Sequence, residues 1–458
     1  MTPAYQQLSA AADDFTNFFD GNREPHFNHK AVNLRLMKKT VALHTLGCKL
    51  NYSETTAIGR MLEQDGFEKK AFSDVADVYV INTCSVTENA DKECRQLVRR
   101  INKKAPEALV VITGCYAQLK PEEIATIPGV NLVLGAAEKF NIAQHLKDLS
   151  GNDAAKICSC EIDDVNIFIP SHSKSERTRV FLKVQDGCDY NCSFCTIPLA
   201  RGRSRSNSIS NVLADVNAIS ETGAKEIVLT GINLGDFGKG FNSGKKKEES
   251  FYELATALET STTIDRIRIS SIEPNLLSDD IIQLVSQSKR FMPHFHIPLQ
   301  SGSNYILAAM RRRYKRELYS EKVSMIKQLM PHACIGVDVI TGFPGETDEK
   351  FEETFDFLKK LDVSYLHVFT YSERNNTTAL QMDEVVPVPV RQARNKRLRN
   401  LSYAKMQAFT ESNIGSARKV LFESRNVNGT VDGYTDNYIK VTAAYQPQLE
   451  NSIVDWVI

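Results

Sequence analysis

Short apolar runs alternate with helical patterns twice along this chain, and that alternation leaves few folds open. In the first run, strands are expected at 40–46, 77–81, 109–113 and 130–134. Helical patterns stand between them, over 53–64 with Ser53 as N-cap and Gly66 as stop, over 89–104, and from near Pro121. Strands alternating with helices build a parallel sheet covered on both faces. From residue 179 the alternation resumes, with strands at 180–184, 226–230, 266–270, 295–299, 335–340 and 365–370. Six such units in a row predict an open, partial version of the eight-unit barrel, with the chemistry in loops at the C-terminal strand ends. The expected class is therefore α/β: a doubly wound parallel-sheet domain over 38–150, a polar, irregular linker over 151–173, and a partial (β/α)6 barrel core over 174–404. A long helical pattern fills 388–412, and short β-like runs with turn residues follow from Arg418, so 405–458 is expected to be a small all-β module.

Residues 1–37 read differently, with Asn, Asp, His and Ala in no clear period. Both a disordered extension and a true start at Met37 fit them. They lack a basic start followed by an apolar run, and nowhere do eighteen apolar residues occur together, so neither a secretory signal nor a membrane span is expected. The expected location is the cytoplasm. There the 10 cysteines suit metal ligation, catalysis or burial better than disulfides. With 56 basic and 56 acidic residues the net charge is zero, so any nucleic-acid-binding surface must be local.

Gly187-Cys188-Asp189-Tyr190-Asn191-Cys192-Ser193-Phe194-Cys195 carries the strongest chemical signal. Three cysteines spaced by three and then two residues can wrap one short loop around a single cluster. A 4Fe–4S cube normally takes four thiolates; with three, one iron keeps an open position. Structural zinc would want a fourth Cys or His at short spacing, and the next histidine downstream is His294.

Cys48, Cys84 and Cys115 are far apart in sequence but share an address. Each falls just past the C-terminal end of an expected parallel strand, and in a doubly wound sheet those ends converge on one crevice. Glycine beside Cys48 and Cys115 lets backbone approach a bulky ligand. The triad reads as a second cluster site, against the plain alternative of three separately buried cysteines. Cys94, Cys158, Cys160 and Cys334 read as structural.

These positions resemble the radical S-adenosylmethionine superfamily, and the two triads together resemble its methylthiotransferase family over about residues 38–458. The motifs are Gly47-Cys48-Lys49-Leu50-Asn51-Tyr52-Ser53-Glu54, Asn82-Thr83-Cys84-Ser85-Val86-Thr87, Thr113-Gly114-Cys115, His296-Ile297-Pro298-Leu299-Gln300-Ser301-Gly302-Ser303 and Met310-Arg311-Arg312-Arg313-Tyr314. The resemblance implies two 4Fe–4S clusters, an auxiliary one on Cys48, Cys84 and Cys115 and one on Cys188, Cys192 and Cys195 that binds S-adenosylmethionine. It implies cofactor contacts from Phe194, Gly231, Ser271, Glu273, Asp338 and Gly342. Gly433-Tyr434-Thr435-Asp436-Asn437-Tyr438 resembles a strand and turn of a TRAM module, a small RNA-binding barrel in this family.

The family divides by target: isopentenyl-adenosine in tRNA, threonylcarbamoyl-adenosine 3′ to the anticodon, or an aspartate of a ribosomal protein. Cys48-Lys49-Leu50-Asn51 followed by Glu54, Asp186-Gly187-Cys188, and Ala200-Arg201-Gly202-Arg203-Ser204-Arg205 look most like the threonylcarbamoyl branch. The implied activity is a transferase that adds a 2-methylthio group to that nucleoside in tRNA. The implied partners are tRNA, a reductase such as flavodoxin or ferredoxin, and a sulfur donor. Arg201, Arg203 and Arg313 are the candidate substrate contacts, since arginine forks grip phosphates and carboxylates.

Overall fold

The structure is a computed structural model that describes residues 39–85, 88–149, 155–173, 178–240 and 247–458. The expectations for 1–37, for Val86-Thr87 and for 151–154 lie outside the described residues. Among the described residues no helix is long and apolar enough to cross a membrane.

The first alternation forms a six-stranded parallel sheet: β1 (Thr40–Thr45), β2 (Glu68–Lys70), β3 (Val78–Thr83), β4 (Leu109–Gly114), β5 (Leu132–Leu134) and β6 (Lys156–Cys158), in the order β2-β1-β3-β4-β5-β6. Both faces are buried, as a parallel sheet requires. Val78 and Val80 pack with Ile58 and Leu132 on one side, while Tyr79 and Ile81 pack with Leu97 and Ile112 on the other. The chain leaves β1 toward one side of the sheet for β2 and returns on the other for β3. Such a switch point opens a crevice beyond the carboxyl ends of the two strands. β6 falls within the stretch expected to be linker, so that stretch is not irregular throughout.

The second alternation opens with β7 (Ser171–His172), antiparallel to β8 (Arg179–Lys183), and a two-residue pair, β9 (Gln185–Asp186) with β10 (Arg205–Ser206). β8, β11 (Glu226–Thr230) and β12 (Arg266–Ile269) run parallel, as do β13 (His294–Gln300), β14 (Cys334–Thr341) and β15 (Tyr365–Thr370). Parallel bridges at Ile267–Phe291 and Ser271–His296 join the two sets. The six expected strands thus form one open barrel wall, β8 at one edge and β15 at the other.

After the helix Val388–Glu411 come β16 (Ala417–Val427), β17 (Thr430–Thr435), β18 (Lys440–Ala444) and β19 (Ile453–Val457), an antiparallel sheet ordered β18-β17-β16-β19. Its Asp436-Asn437 turn packs against the barrel strands β12 and β13. Arg268 donates to the Asp436 and Thr435 carbonyls at 2.8 Å each, and Tyr438 stacks on His294 at 4.4 Å.

Candidate active site

The loop from Gly187 to Cys195 follows β9, and its three thiols lie within one another's electrostatic reach. The Tyr190 amide donates to Cys188 Sγ at 3.3 Å and the Ile197 amide to Cys195 Sγ at 3.5 Å. Burial pushes all three thiols up, Cys195 to about 12, so without a metal they hold their protons. The Arg312 guanidinium donates to Cys192 Sγ at 3.1 Å and pairs with Glu273. Sulfurs around one tetrahedral zinc stand about 3.8 Å apart, given its bond length. Among the described residues only His296, Asp338 and His367 bring three ligand atoms within 4.8 Å.

Beside Cys195 lies a cavity of about 220 Å³, lined by Phe194, Asp338, Ile340, Thr370 and Tyr371. Its aromatic wall and single carboxylate fit an adenosyl group next to the cluster loop. Phe194 is held edge-on against Phe343 at 6.3 Å. Asp338 accepts from His296 at 2.9 Å, and Ser271 shares a hydrogen bond with the other ring nitrogen of His296 at 2.7 Å. Two of the expected cofactor contacts are glycines at close approaches of the chain. A side chain at Gly231 would meet Gln185 Oε1 at 2.9 Å, where Gln185 accepts the Ile232 and Asn233 amides. Gly342, at φ +77, backs onto Arg391 of the long helix, where a Cβ would come within 2.1 Å of Cγ.

The second triad lines the switch-point crevice. Cys48 caps helix α1 (Lys49–Gln64), Cys84 follows β3 directly, and Cys115 opens the helix Cys115–Leu119 after β4. The cap is Cys48, not Ser53; Ser53 lies inside α1 with its hydroxyl bonded to the Leu50 carbonyl at 2.8 Å. Gly47, at φ +103, passes so close to Cys84 that a Cβ would meet its Sγ at 2.9 Å. Asn51 ties the β1 and β3 ends together, donating to the Leu46 and Thr83 carbonyls at 3.0 Å each.

A buried charge network joins the two triads. The short helix after Cys195 ends in Arg201, which donates to Glu54 of α1 at 3.2 Å and to Asp186 at 2.9 Å and also reaches Asn51. Lys139 and Lys183 pair with Glu54 at 2.7 and 3.1 Å, and Arg205 pairs with Asp186 at 3.0 Å. Four buried cations thus face two buried carboxylates. The cations hold the Glu54 and Asp186 carboxyls well below the usual range against the desolvation that opposes it. Arg201 Nε has no acceptor, and the charges of Arg201 and Lys139 act directly on Cys115. Three thiolates outweigh the charge of an oxidised 4Fe–4S core, so the ligated cluster is an anion. The surplus buried charge and the unused donor both fit one.

Arg201 is therefore not available to a substrate: it is 3% exposed and bonded to Glu54, Asp186 and Asn51. Arg203 and Arg313 are exposed. Arg203 lines a cavity of about 770 Å³ with Asp189, Tyr190 and Lys239, and Arg313 stacks on Tyr190 at 4.1 Å. Sequence reasoning missed Arg312, one residue from Arg313, because a run of three arginines does not say which turns inward. It also missed His296 and His367, although His296 stands in a motif it singled out.

Comparison with known proteins agrees with this geometry. Residues 40–135 match the family described as Uncharacterized protein family UPF0004, and residues 182–358 match the Radical SAM superfamily. The chain is 38% identical over 412 residues to the Threonylcarbamoyladenosine tRNA methylthiotransferase MtaB of Bacillus subtilis (strain 168), covering 88% of this chain and 90% of that one. Its identity to the protein of the same name from Aquifex aeolicus is also 38%, covering 88% and 96%. It is 32% identical to the tRNA-2-methylthio-N(6)-dimethylallyladenosine synthase of Rickettsia canadensis, covering 87% and 92%. Among solved structures, the radical S-adenosylmethionine methyltransferase TsrM of Kitasatospora setae shares the fold at TM-score 0.55 and 15% identity, over 75% of this chain and 77% of that one. The chain belongs to the tRNA methylthiotransferase family of radical S-adenosylmethionine enzymes.

Proposed function

We propose that this protein converts N6-threonylcarbamoyladenosine, 3′ to the anticodon of tRNA, into its 2-methylthio derivative. The observation that carries the reading is the Arg201 network, which locks two separate cysteine triads into one active region. Relatives named for this reaction support the substrate, as does the sequence around Cys48.

In this reading Cys188, Cys192 and Cys195 hold the cluster that binds S-adenosylmethionine, and Cys48, Cys84 and Cys115 hold the auxiliary cluster. An aromatic C–H is too weakly acidic for a general base, and the cofactors supply a 5′-deoxyadenosyl radical and a sulfur source in its place. The chain's own residues provide position and exclusion. Phe194 and Asp338 shape the adenosyl cavity. Arg312 fixes Cys192 through a charge-assisted bond and anchors Glu273. Arg201, Glu54 and Asp186 set the separation of the two triads. Arg203 and Arg313, at the mouth of the cluster loop, contact RNA phosphate, and the target base leaves its stack to enter. The C-terminal strands act as a TRAM-like RNA-binding module. The enzyme works in the cytoplasm with a flavodoxin- or ferredoxin-type reductase and a sulfur donor.

The isopentenyl-adenosine reading has one supporting observation, the 32% identical Rickettsia relative. Mass spectrometry of tRNA nucleosides from a deletion strain separates the two. Loss of 2-methylthio-threonylcarbamoyladenosine is expected; loss of the isopentenyl product, or of neither, overturns the assignment.

A further inference from the structure

The barrel wall is open, with β8 at one edge and β15 at the other. The sheet that carries Cys48, Cys84 and Cys115 is fastened along the β8 edge. There Tyr52 of α1 packs edge-on against Phe181 of β8 at 5.9 Å, Ser53 bonds Ser171 of β7 at 3.0 Å, and Arg201 binds Glu54. Two bodies fastened along one edge can still rock about that edge as a hinge. A fixed separation between the two triads therefore needs a second attachment.

The chain that leaves β15 supplies it. Arg374 is 8% exposed, and its partners stand almost three hundred residues back along the sequence. Its Nη2 donates to the Ser85 carbonyl and hydroxyl at 2.7 Å each and pairs with Asp91 at 3.1 Å. Ser85 directly follows the ligand Cys84, and Asp91 lies in the first turn of the helix Glu88–Lys104. Both are 2% exposed, so this is a buried charge pair with its hydrogen bonds made, the kind that fixes geometry. Arg374, bonded in this way, is not available to RNA phosphate.

A few residues on, the same segment holds the other triad. The Ala379 amide donates to the Ser193 carbonyl at 2.8 Å and the Thr378 hydroxyl to the same oxygen at 3.3 Å. Ser193 lies between Cys192 and Cys195. Ala379 also packs with Phe343 and Tyr371, in the group against which Phe194 rests. The turn between the two attachments is pinned. The Thr377 hydroxyl donates to the Arg374 carbonyl at 2.7 Å, and Asn376 takes φ +64, a conformation asparagine adopts more readily than most residues. One short segment thus bonds the neighbour of an auxiliary ligand at one end and the middle of the radical loop at the other.

We infer that Arg374 is a positioning residue: it sets where the Cys84 arm of the auxiliary site stands relative to the Cys192–Cys195 loop, and so couples cleavage of S-adenosylmethionine to methylthio transfer. The inference rests on the two cluster sites proposed above and not on which nucleoside is modified. Misplacing reacting groups by about 1 Å can cost about 100-fold in rate. A displaced auxiliary site leaves cleavage intact and wastes it.

The test compares the wild type, Arg374→Lys, Arg374→Met, and Arg374→Met combined with Asp91→Asn, each reconstituted with iron and sulfide. The double variant removes the carboxylate that Arg374→Met alone would leave buried and unpaired, so it folds even if the single variant does not. Two quantities are read: methylthio nucleoside formed per 5′-deoxyadenosine, and the magnetic coupling between the two reduced clusters by electron paramagnetic resonance. The double variant should hold both clusters, form 5′-deoxyadenosine at the wild-type rate, give about 10- to 100-fold less product per cleavage, and show an altered or broadened coupling. Arg374→Lys keeps the charge without the fork and should fall between. An unchanged product ratio or an unchanged coupling in the loaded double variant overturns the inference. Loss of its auxiliary cluster does so too, since Arg374 would then hold that site together instead of placing it. A wild type with a single cluster overturns the two-site reading instead.

Discussion

The two cysteine triads are built in opposite ways. Cys188, Cys192 and Cys195 occupy one eight-residue span, and the amides of Tyr190 within it and Ile197 just past it bond two of the sulfurs. Cys48, Cys84 and Cys115 come from three strand ends, and what unites them is tertiary: the parallel register, the close passage of Gly47 over Cys84, and a charge network that crosses into the barrel. A local site depends on its loop. A site assembled from distant elements depends on everything that fixes those elements, and here that includes Arg201, from the helix that follows the other triad. Damage to the first triad should therefore be confined to its own chemistry, whereas the second should be sensitive to residues that never touch sulfur.

The largest effect expected is at the local site. Cys192→Ala removes a ligand from the loop and frees Arg312 from its sulfur. Formation of 5′-deoxyadenosine should fall to background, with no methylthio product, while the auxiliary cluster remains. Cys84→Ala should keep measurable 5′-deoxyadenosine and lose the methylthio nucleoside. Equal loss of cleavage in both variants would break the division of labour.

Arg201→Met tests the tertiary dependence. It leaves Glu54 and Asp186 buried with fewer cations, and breaking such a network costs about 3–5 kcal/mol. A lower melting temperature and iron loss confined to the auxiliary site are expected, with the Cys188 site still loaded. Arg201→Lys keeps the charge but not the fork and should fall between the two. If the radical-loop cluster is lost first, the comparison is wrong.

The smallest effects belong to the exposed arginines. Arg203→Ala and Arg313→Ala should each weaken tRNA binding a few-fold at low salt, less as salt rises, and reduce the salt slope by about one. Unchanged slopes would mean that neither contacts phosphate.

Sequence revealed what is periodic or local. The six barrel strands, the nine-residue cluster loop and the shared strand-end address of Cys48, Cys84 and Cys115 all follow from short-range pattern. It failed where a residue's role is decided by a distant partner. Arg201 reads as a free cation until Glu54, 147 residues away, is brought beside it. Nothing local in the sequence says that Arg391 packs on Gly342. Ser53 has the composition of an N-cap, but the helix begins a turn earlier because Cys48 ends the extended segment after β1. The Asp436-Asn437 turn is visible as a turn, but not that Arg268 donates to the carbonyls of Asp436 and Thr435.

One chain should hold two unlike sites for one kind of cluster. Iron and sulfide counts on the wild-type protein after anaerobic reconstitution test it directly. About eight irons and about eight sulfides per chain, two 4Fe–4S cubes, are expected; about four of each, or zinc in the Cys48, Cys84 and Cys115 site, would mean that only one triad holds such a cluster.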